Sequence, residues 1–174
     1  MKKAALYLSV AALALAAGGG FAWWRSQPAE PVAAAAPAVS LWQASFNDLN
    51  GKPQPLAQWR GKPLVLNFWA SWCAPCREEM PEFVATQKAL GDKVRFVGLA
   101  IDNPTEVKKF AAELGVDYPL LYGEQEAMDL MRSEGNRIGA LPYTVIYDAS
   151  GKRVAAHAGR LDQTRLDGYL KPLL

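Results

Sequence analysis

The chain has 174 residues, of which 51% are hydrophobic and 10% aromatic, enough for a buried core and too many for a largely disordered chain. The net charge of +2 is carried by residues 1–40, because residues 41–174 contain 16 basic and 16 acidic side chains. A neutral body without a basic stripe argues against nucleic-acid binding.

Residues 1–24 are predicted to be an N-terminal membrane anchor or a signal peptide. An uncharged run of 21 residues extends from Ala4 to Trp24 after two lysines, and a helix of that length spans a bilayer core of roughly 30 Å. Cleavage at the Ala-x-Ala site of Ala14 to Ala16 is the alternative, but the apolar run continues beyond it. The uncleaved anchor is the favoured interpretation, and both interpretations export the rest of the chain.

Residues 25–39 are rich in alanine and proline without apolar periodicity, which indicates an extended linker. Residues 40–174 are predicted to be the folded domain. Its predicted elements, in chain order, are strands over 41–46, 54–56 and 63–69, a helix over 75–90, a strand over 94–101, a helix over 104–114, a short strand over 118–121, a short helix over 124–132, a hairpin of strands 143–147 and 153–158, and a last helix beginning at Asp162. A β-α-β crossover followed by a hairpin and a closing helix predicts an α/β fold, a mixed central sheet flanked by helices.

Only two cysteines are present, Cys73 and Cys76, and they lie where a buried strand turns into a helix. A closed structural zinc site needs four ligands, and His157 is the lone histidine, so a metal site is disfavoured and His157 is interpreted as structural or exposed. Backbone amides at a helix N-terminus stabilise a thiolate, which predicts a pKa below the ~8.5 of a free cysteine. Cys73 is expected to be the more exposed thiol. The alternatives are a redox dithiol and two cysteines that only fill space.

The segment from Asn67 to Cys76, Asn-Phe-Trp-Ala-Ser-Trp-Cys-Ala-Pro-Cys, resembles the active site of the thioredoxin superfamily. Further matches are residues 56–63, 77–81 and 141–148, and the exported setting narrows the resemblance to the TlpA/ResA-like thiol-disulfide oxidoreductases, which include the cytochrome c maturation thioredoxins. It covers residues 40–174. The resemblance implies a thioredoxin-like fold and an enzyme that carries out thiol-disulfide exchange through Cys73 and Cys76, with no organic cofactor and no metal.

The resemblance also implies roles for residues outside the dithiol. The residue at Pro142 follows a cis peptide bond in this superfamily and faces the cysteines, and Leu141 offers its backbone to a substrate strand. Trp72 is expected to shield the dithiol and contact the partner. Cytoplasmic thioredoxins have a buried aspartate at the position of Asn67, so we expect Glu79, one helical turn after Cys76, to be the acid/base group instead. The alternative is a solvated Glu79 like Glu78 and Glu82.

The resemblance implies that the substrates are disulfides of exported proteins and that a membrane thiol reductase of the DsbD or CcdA kind is the electron donor. The N-terminal segment is expected to attach the protein to the membrane. The expected location is the periplasmic face of the bacterial inner membrane. Reduction of substrates is the favoured direction, with a disulfide-donating oxidase or a non-catalytic apocytochrome or metal-binding chaperone as alternatives. A peroxiredoxin is disfavoured, because residues 68–72 lack the Thr/Ser-rich approach to its cysteine. Cytochrome c maturation members often have an acidic residue at the position of Tyr143. Because this chain does not, an apocytochrome and a broader range of periplasmic proteins are both open as substrates.

Overall fold

A seven-stranded mixed sheet organises residues 40–174, the part of the chain that this computed structural model describes. The strands are β1 (Ser45–Asp48), β2 (Pro53–Pro55), β3 (Leu64–Trp69), β4 (Arg95–Ile101), β5 (Leu120–Gly123), β6 (Tyr143–Tyr147) and β7 (Arg153–Ala158). Their spatial order is β2-β1-β5-β4-β3-β6-β7, in which β3, β4 and β5 run parallel and the other neighbours pair antiparallel.

The helices are α1 (Ala74–Leu90), α2 (Pro104–Leu114), α3 (Gln125–Ser133) and α4 (Gln163–Leu170). Buried residues of α1, α2 and α4 belong to one core cluster, and those of α3 belong to a second cluster on the other face of the sheet. Local chemistry sets the helix ends: the side chain of Asn103 accepts hydrogen bonds from two first-turn amides of α2, and Gly115 ends that helix in the left-handed conformation. The predicted α/β architecture with helices on both faces is confirmed.

β3 is the centre of the sheet, and all six of its residues are buried. Val65 and Trp69 pack in the cluster that contains α1, whereas the alternating residues Leu64, Leu66 and Phe68 pack in the opposite cluster. Asn67 has the parity of the α1 side, so the strand places one buried amide in a layer that is mostly apolar. The same strand leads directly into the two cysteines.

Two predicted strands begin two or more residues too early. Residues 41–43 form a 3-10 turn rather than the beginning of a strand, because the buried side chains of Leu41 and Ala44 are three positions apart and the Ala44 N–H bonds the Leu41 carbonyl. β5 begins at Leu120 rather than at Tyr118, because Pro119 has no N–H to donate to a ladder.

The predicted anchor over residues 1–24 and the linker over 25–39 lie outside the described residues. Within residues 40–174, no helix combines the length and the apolar character that crossing a membrane requires. The division of the chain into anchor, linker and domain therefore stays a prediction.

Candidate active site

Cys73 and Cys76 form a disulfide at the N-terminus of α1, with their Cα atoms 5.3 Å apart. Cys76 is fully buried, whereas Cys73 retains 6% of its surface, so Cys73 is the more accessible sulfur, as expected. Both residues belong to the core cluster on the α1 side of the sheet. The pair is thus reached from solvent through Cys73.

Cys73 is the N-cap residue of α1, and its sulfur accepts a hydrogen bond from the backbone N–H of Cys76 at 3.3 Å. Pro75, within the first turn, removes a donor that would otherwise lack a partner. A helix N-terminus concentrates positive potential from aligned peptide dipoles. After reduction, the same amide and dipole stabilise negative charge on the Cys73 sulfur.

Ser71 anchors the loop between β3 and the cysteines. Its backbone N–H and its hydroxyl donate to the same oxygen of Asp102, at 3.0 and 2.5 Å, and Asp102 directly follows β4. Parallel neighbours β3 and β4 bring their carboxyl ends to one edge of the sheet, which places Asp102 beside the loop. Sequence reasoning missed this residue, although an acid at the end of a buried parallel strand was a usable signal.

The peptide bond between Leu141 and Pro142 is cis, as the resemblance implies. Pro142 is buried, and its carbonyl accepts the Gly159 N–H at 2.9 Å, which ties the loop before β6 to the loop after β7. Leu141 is half-buried and packs against both core clusters, including the one that contains the cysteines. Among the described residues, the backbone N–H and C=O of Leu141 have no hydrogen-bond partner.

Trp72 is 70% exposed, the most exposed aromatic side chain next to the dithiol. With Ser71 and Arg77 it lines a cleft of about 250 Å³ on the side of α2. The Arg77 guanidinium stacks over the Phe110 ring in that cleft, at 4.9 Å from the ring centroid. An exposed indole beside a stacked cation is suited to contact with a polypeptide partner.

Glu79 is fully buried, so the alternative of a solvated carboxylate is wrong for this residue. One carboxylate oxygen accepts the Asn67 side-chain N–H at 2.7 Å, and the other accepts the Leu161 backbone N–H at 2.8 Å. Asn67 also donates to the Thr144 hydroxyl at 3.0 Å, across the β3–β6 pair. The asparagine and the glutamate that the sequence grouped together are therefore in direct contact.

Burial raises the pKa of Glu79 from 4.5 to about 7, because removal from water penalises the charged carboxylate. The amide donors of Leu161 and Asn67 and the charge of Arg160 oppose this rise, and the charge of Glu82 adds to it. A carboxyl group with a pKa near 7 exchanges protons readily at neutral pH. It lies three residues after Cys76 on α1, so the two side chains share one face of the helix.

Glu82 also differs from the solvated carboxylate that was expected. It is 28% exposed, forms an ion pair with Arg160, and accepts the backbone N–H of Gln163 at 2.6 Å. These contacts bind the segment between β7 and α4 to α1. Sequence reasoning missed Glu82, Arg160 and the Leu161 amide, because a backbone donor and a partner about 80 positions away carry no local signal.

His157 lies on β7, and its Nε2 atom is 3.2 Å from the Arg160 carbonyl. Residues 40–174 contain no group of three or more His, Cys, Asp or Glu side chains arranged to hold a metal ion. The structural interpretation of His157 therefore has a specific contact to support it.

Residues 31–170 match the Redoxin family. The chain is similar to the thiol-disulfide oxidoreductase ResA of Bacillus thuringiensis (strain Al Hakam), with 33% identity over 130 residues that cover 72% of each chain. It is also similar to the thiol:disulfide interchange protein HelX of Rhodobacter capsulatus, with 31% identity over an alignment of 190 residues that covers 100% of this chain and 97% of HelX.

The fold is similar to the crystal structure of a thiol:disulfide interchange protein of the thioredoxin family from Chlorobium tepidum TLS. The TM-score is 0.66 at 29% sequence identity, and the match covers 80% of this chain and 99% of the other. The predicted thioredoxin-like fold is confirmed.

Proposed function

Because the chain belongs to the ResA-like thiol-disulfide oxidoreductases of the Redoxin family, we propose that it reduces disulfides in exported proteins. The observation that carries this proposal is the Cys73–Cys76 disulfide at the N-terminus of α1, in which the sulfur of Cys73 accepts an amide hydrogen bond and is the more accessible of the two. Such a dithiol exchanges electrons with other disulfides and needs neither an organic cofactor nor a metal.

The first step is attack of the Cys73 thiolate on a substrate disulfide. A bond forms between the Cys73 sulfur and one substrate sulfur, and the other substrate sulfur leaves as a thiolate. The helix N-terminus and the Cys76 N–H favour the charged nucleophile. Cys76, which is buried, takes no part in this encounter.

The second step is attack of Cys76 on the Cys73 sulfur. The mixed disulfide breaks, the second substrate sulfur leaves as a thiolate, and the enzyme disulfide forms. Two electrons have then passed from the enzyme dithiol to the substrate. Glu79 accepts the Cys76 proton in this step, a role supported by its burial, by its pKa of about 7 and by its place one turn along α1.

The substrate segment binds along Trp72, Leu141 and Pro142. Support comes from the exposure of Trp72 and from the unpaired backbone of Leu141 within the described residues, which has one N–H and one C=O to offer an extended chain. Main-chain recognition of this kind accepts clients of different sequence, so it does not single out an apocytochrome.

We also propose that the enzyme works at the periplasmic face of the inner membrane, where a membrane thiol reductase of the DsbD or CcdA kind reduces it again. The support is the apolar run from Ala4 to Trp24, which either anchors the chain or directs its export. A reductant in an oxidising compartment requires such an electron supply.

The reduction potential of the Cys73–Cys76 pair tests the direction. The full chain is equilibrated in redox buffers, and its oxidation state is read from alkylation mass shifts. We expect a potential near or below ~−270 mV, the range of reducing thioredoxins. A potential near ~−120 mV reverses the direction and makes the protein a disulfide donor, and failure to form the intramolecular disulfide removes the redox function altogether.

The order of the two steps is tested with single serine variants and a peptide that contains one disulfide. Cys76→Ser is expected to accumulate a covalent adduct with the peptide, because resolution is blocked. Cys73→Ser is the matched control and should form none, since the remaining thiol is buried. Equal adduct yields from the two variants would contradict the assignment of Cys73 as nucleophile.

A further inference from the structure

The segment between β7 and α4, together with Gln163 at the start of α4, contacts α1 through three residues. Arg160 pairs with Glu82 and lies 3.8 Å from the Glu78 carboxylate, the Leu161 N–H bonds Glu79, and the Gln163 N–H bonds Glu82. Glu82 thus holds the segment on both sides of the residue that donates to Glu79. The two carboxylates are three positions apart on α1 and share one face of the helix.

The two donors to Glu79 are held in different ways. Asn67 lies inside the central strand, where the β4 and β6 ladders fix its backbone on both sides. Leu161 lies outside any strand or helix, so its N–H reaches Glu79 only while the segment stays against α1. The side chain of its neighbour Arg160 is 41% exposed.

We propose that Arg160 and Glu82 are positioning residues of the exchange reaction: their ion pair holds the segment 159–161 against α1 and thereby keeps the Leu161 N–H on the Glu79 carboxylate. The proposal rests on the proposed acid/base function of Glu79. Neither residue contacts a cysteine directly in this arrangement; both act through the hydrogen bond that Glu79 receives.

Several charged or titratable groups face Glu79 and bear on the same ionisation. Arg160 and Glu82 act on it from the β7–α4 segment and from α1, and Tyr118, whose buried hydroxyl has no partner among the described residues, faces it from the chain before β5. Glu78 contacts Arg160 from α1, and His157 contacts the Arg160 carbonyl from β7.

Neutralisation of Glu82 distinguishes a positioning effect on Glu79 from a purely electrostatic one, because the two effects shift the Glu79 pKa in opposite directions. The negative charge of Glu82 raises the pKa of Glu79, so its neutralisation lowers that pKa if charge alone acts. If Glu82 instead holds the Leu161 amide in place, its neutralisation weakens a hydrogen bond to the ionised carboxylate and raises the pKa. Neutralisation of Arg160 raises the pKa of Glu79 in both cases, because it removes a positive charge and also the ion pair that holds the segment.

The experiment measures the pKa of Glu79 in the full-length oxidised protein from the pH dependence of its carboxyl ¹³C resonance, assigned by its absence in Glu79→Gln. The variants are Arg160→Gln, Glu82→Gln and the double variant, each of which replaces a charged side chain by the neutral amide of glutamine. Arg132→Gln, with a comparably exposed arginine paired to Asp129 on α3, is the control for loss of a surface ion pair.

We expect Arg160→Gln and Glu82→Gln each to raise the Glu79 pKa by roughly half a unit or more, the double variant to raise it by less than the sum, and Arg132→Gln to leave it unchanged. The pH profile of peptide-disulfide reduction should move in parallel. A lowered pKa in Glu82→Gln, or additive shifts in the double variant, overturns the proposal. Because the resonance titrates whether or not the enzyme reduces disulfides, failure of the proposed function is seen separately, as a wild type without exchange.

Discussion

Asn67 limits which side chains at this site are able to accept a proton. Its amide donates to Glu79 at 2.7 Å and to Thr144 at 3.0 Å, whereas its side-chain oxygen has no partner among the described residues. An amide donor stabilises the ionised form of the neighbouring glutamate and accepts no proton itself. The carboxylate that we propose as the proton acceptor is therefore on α1, in Glu79, rather than on β3.

Asn67→Asp would place two carboxylates within hydrogen-bond distance in a buried layer. Like charges that close cannot both ionise, so the pair retains one proton to higher pH. We expect the variant to lose about 2–4 kcal/mol of unfolding free energy at pH 8 and about 1 kcal/mol or less at pH 5, measured by urea unfolding. Asn47→Asp, the same change at an exposed position of β1, is the control and should show no such pH dependence. Equal losses at both pH values would contradict this account.

Trp72 is expected to contribute to substrate binding and very little to the stability of the fold. The indole is 70% exposed, so Trp72→Ala should leave the thermal midpoint within about 1 °C of wild type. Loss of an aromatic anchor from a partner contact costs about 1–3 kcal/mol, which predicts a fall of roughly 5- to 150-fold in kcat/KM for a disulfide-containing protein, mainly through KM. Leu174→Ala, at an exposed apolar residue of the C-terminus, should change neither quantity. An unchanged KM in Trp72→Ala would remove the role in substrate binding.

At the scale of single residues, sequence reasoning succeeded where the signal was local. The two cysteines at a strand-to-helix junction and a glutamate one turn later could be grouped from spacing alone. Partial burial of Glu79 was part of that prediction, but its complete burial and its hydrogen-bond donors were not, because they depend on Leu161 and Asn67, which lie 82 and 12 positions away in the chain. Glu82 shows the same limit, since nothing in its neighbours distinguishes it from an exposed helix carboxylate.

At the scale of elements, β3 and α1 were predictable because residues typical of turns and helix ends bound them. Residues 63–69, apolar except for Asn67 and bounded by Gly61 and Ser71, predict a strand buried on both faces, and Pro75 and Gly91 bound the helix. The 3-10 turn at residues 41–43 was not predictable in the same way. An apolar residue at every second or third position fits a short strand and a tight turn equally well, and packing against the second core cluster selects the turn.

Gly98, in the middle of β4, is a position where an element depends on the absence of a side chain. A Cβ there would lie 2.6 Å from a methyl carbon of Leu120 and 3.0 Å from Nε1 of Trp69, two buried side chains on neighbouring strands. We expect Gly98→Ala to lower the unfolding free energy by about 1–3 kcal/mol in urea titrations, because the core must shift to accept the methyl group.

Gly168→Ala is the matched control for Gly98→Ala. Gly168 lies within α4, and a Cβ there meets no atom within 4 Å. Alanine is favoured over glycine in a helix by up to about 1 kcal/mol, so this variant should be more stable than wild type. A Gly98→Ala protein as stable as wild type would mean that β4 and β5 adapt without cost, and the close packing at this point would then not constrain the sheet.

At the scale of the whole molecule, one buried carboxyl group links the folding equilibrium to pH near neutrality. The pKa of Glu79 is about 7 in the folded protein and 4.5 in a solvated reference, because burial disfavours its charge. Asp48, Asp92 and Asp148 have lowered pKa values, caused mainly by hydrogen bonds from the Lys52 backbone, the Arg95 side chain and the Ser150 side chain respectively, so their effects on stability fall below pH 4. These three aspartates therefore do not change the unfolding free energy between pH 5 and 8, whereas Glu79 does.

The folded state binds the Glu79 proton more tightly than the unfolded state does. The stabilising contribution is fully present below pH 4.5 and is lost as the pH rises through 7, by at most about 3 kcal/mol. Glu79→Gln has no proton to lose, so we expect its unfolding free energy to decline less than that of the wild type between pH 5 and 8, with the difference read from urea unfolding of both proteins. Glu113→Gln, at an exposed position of α2, should follow the wild type. Parallel curves for wild type and Glu79→Gln would mean that the carboxyl group keeps an ordinary pKa in the folded protein, and the acid/base role assigned to it would lose its physical basis.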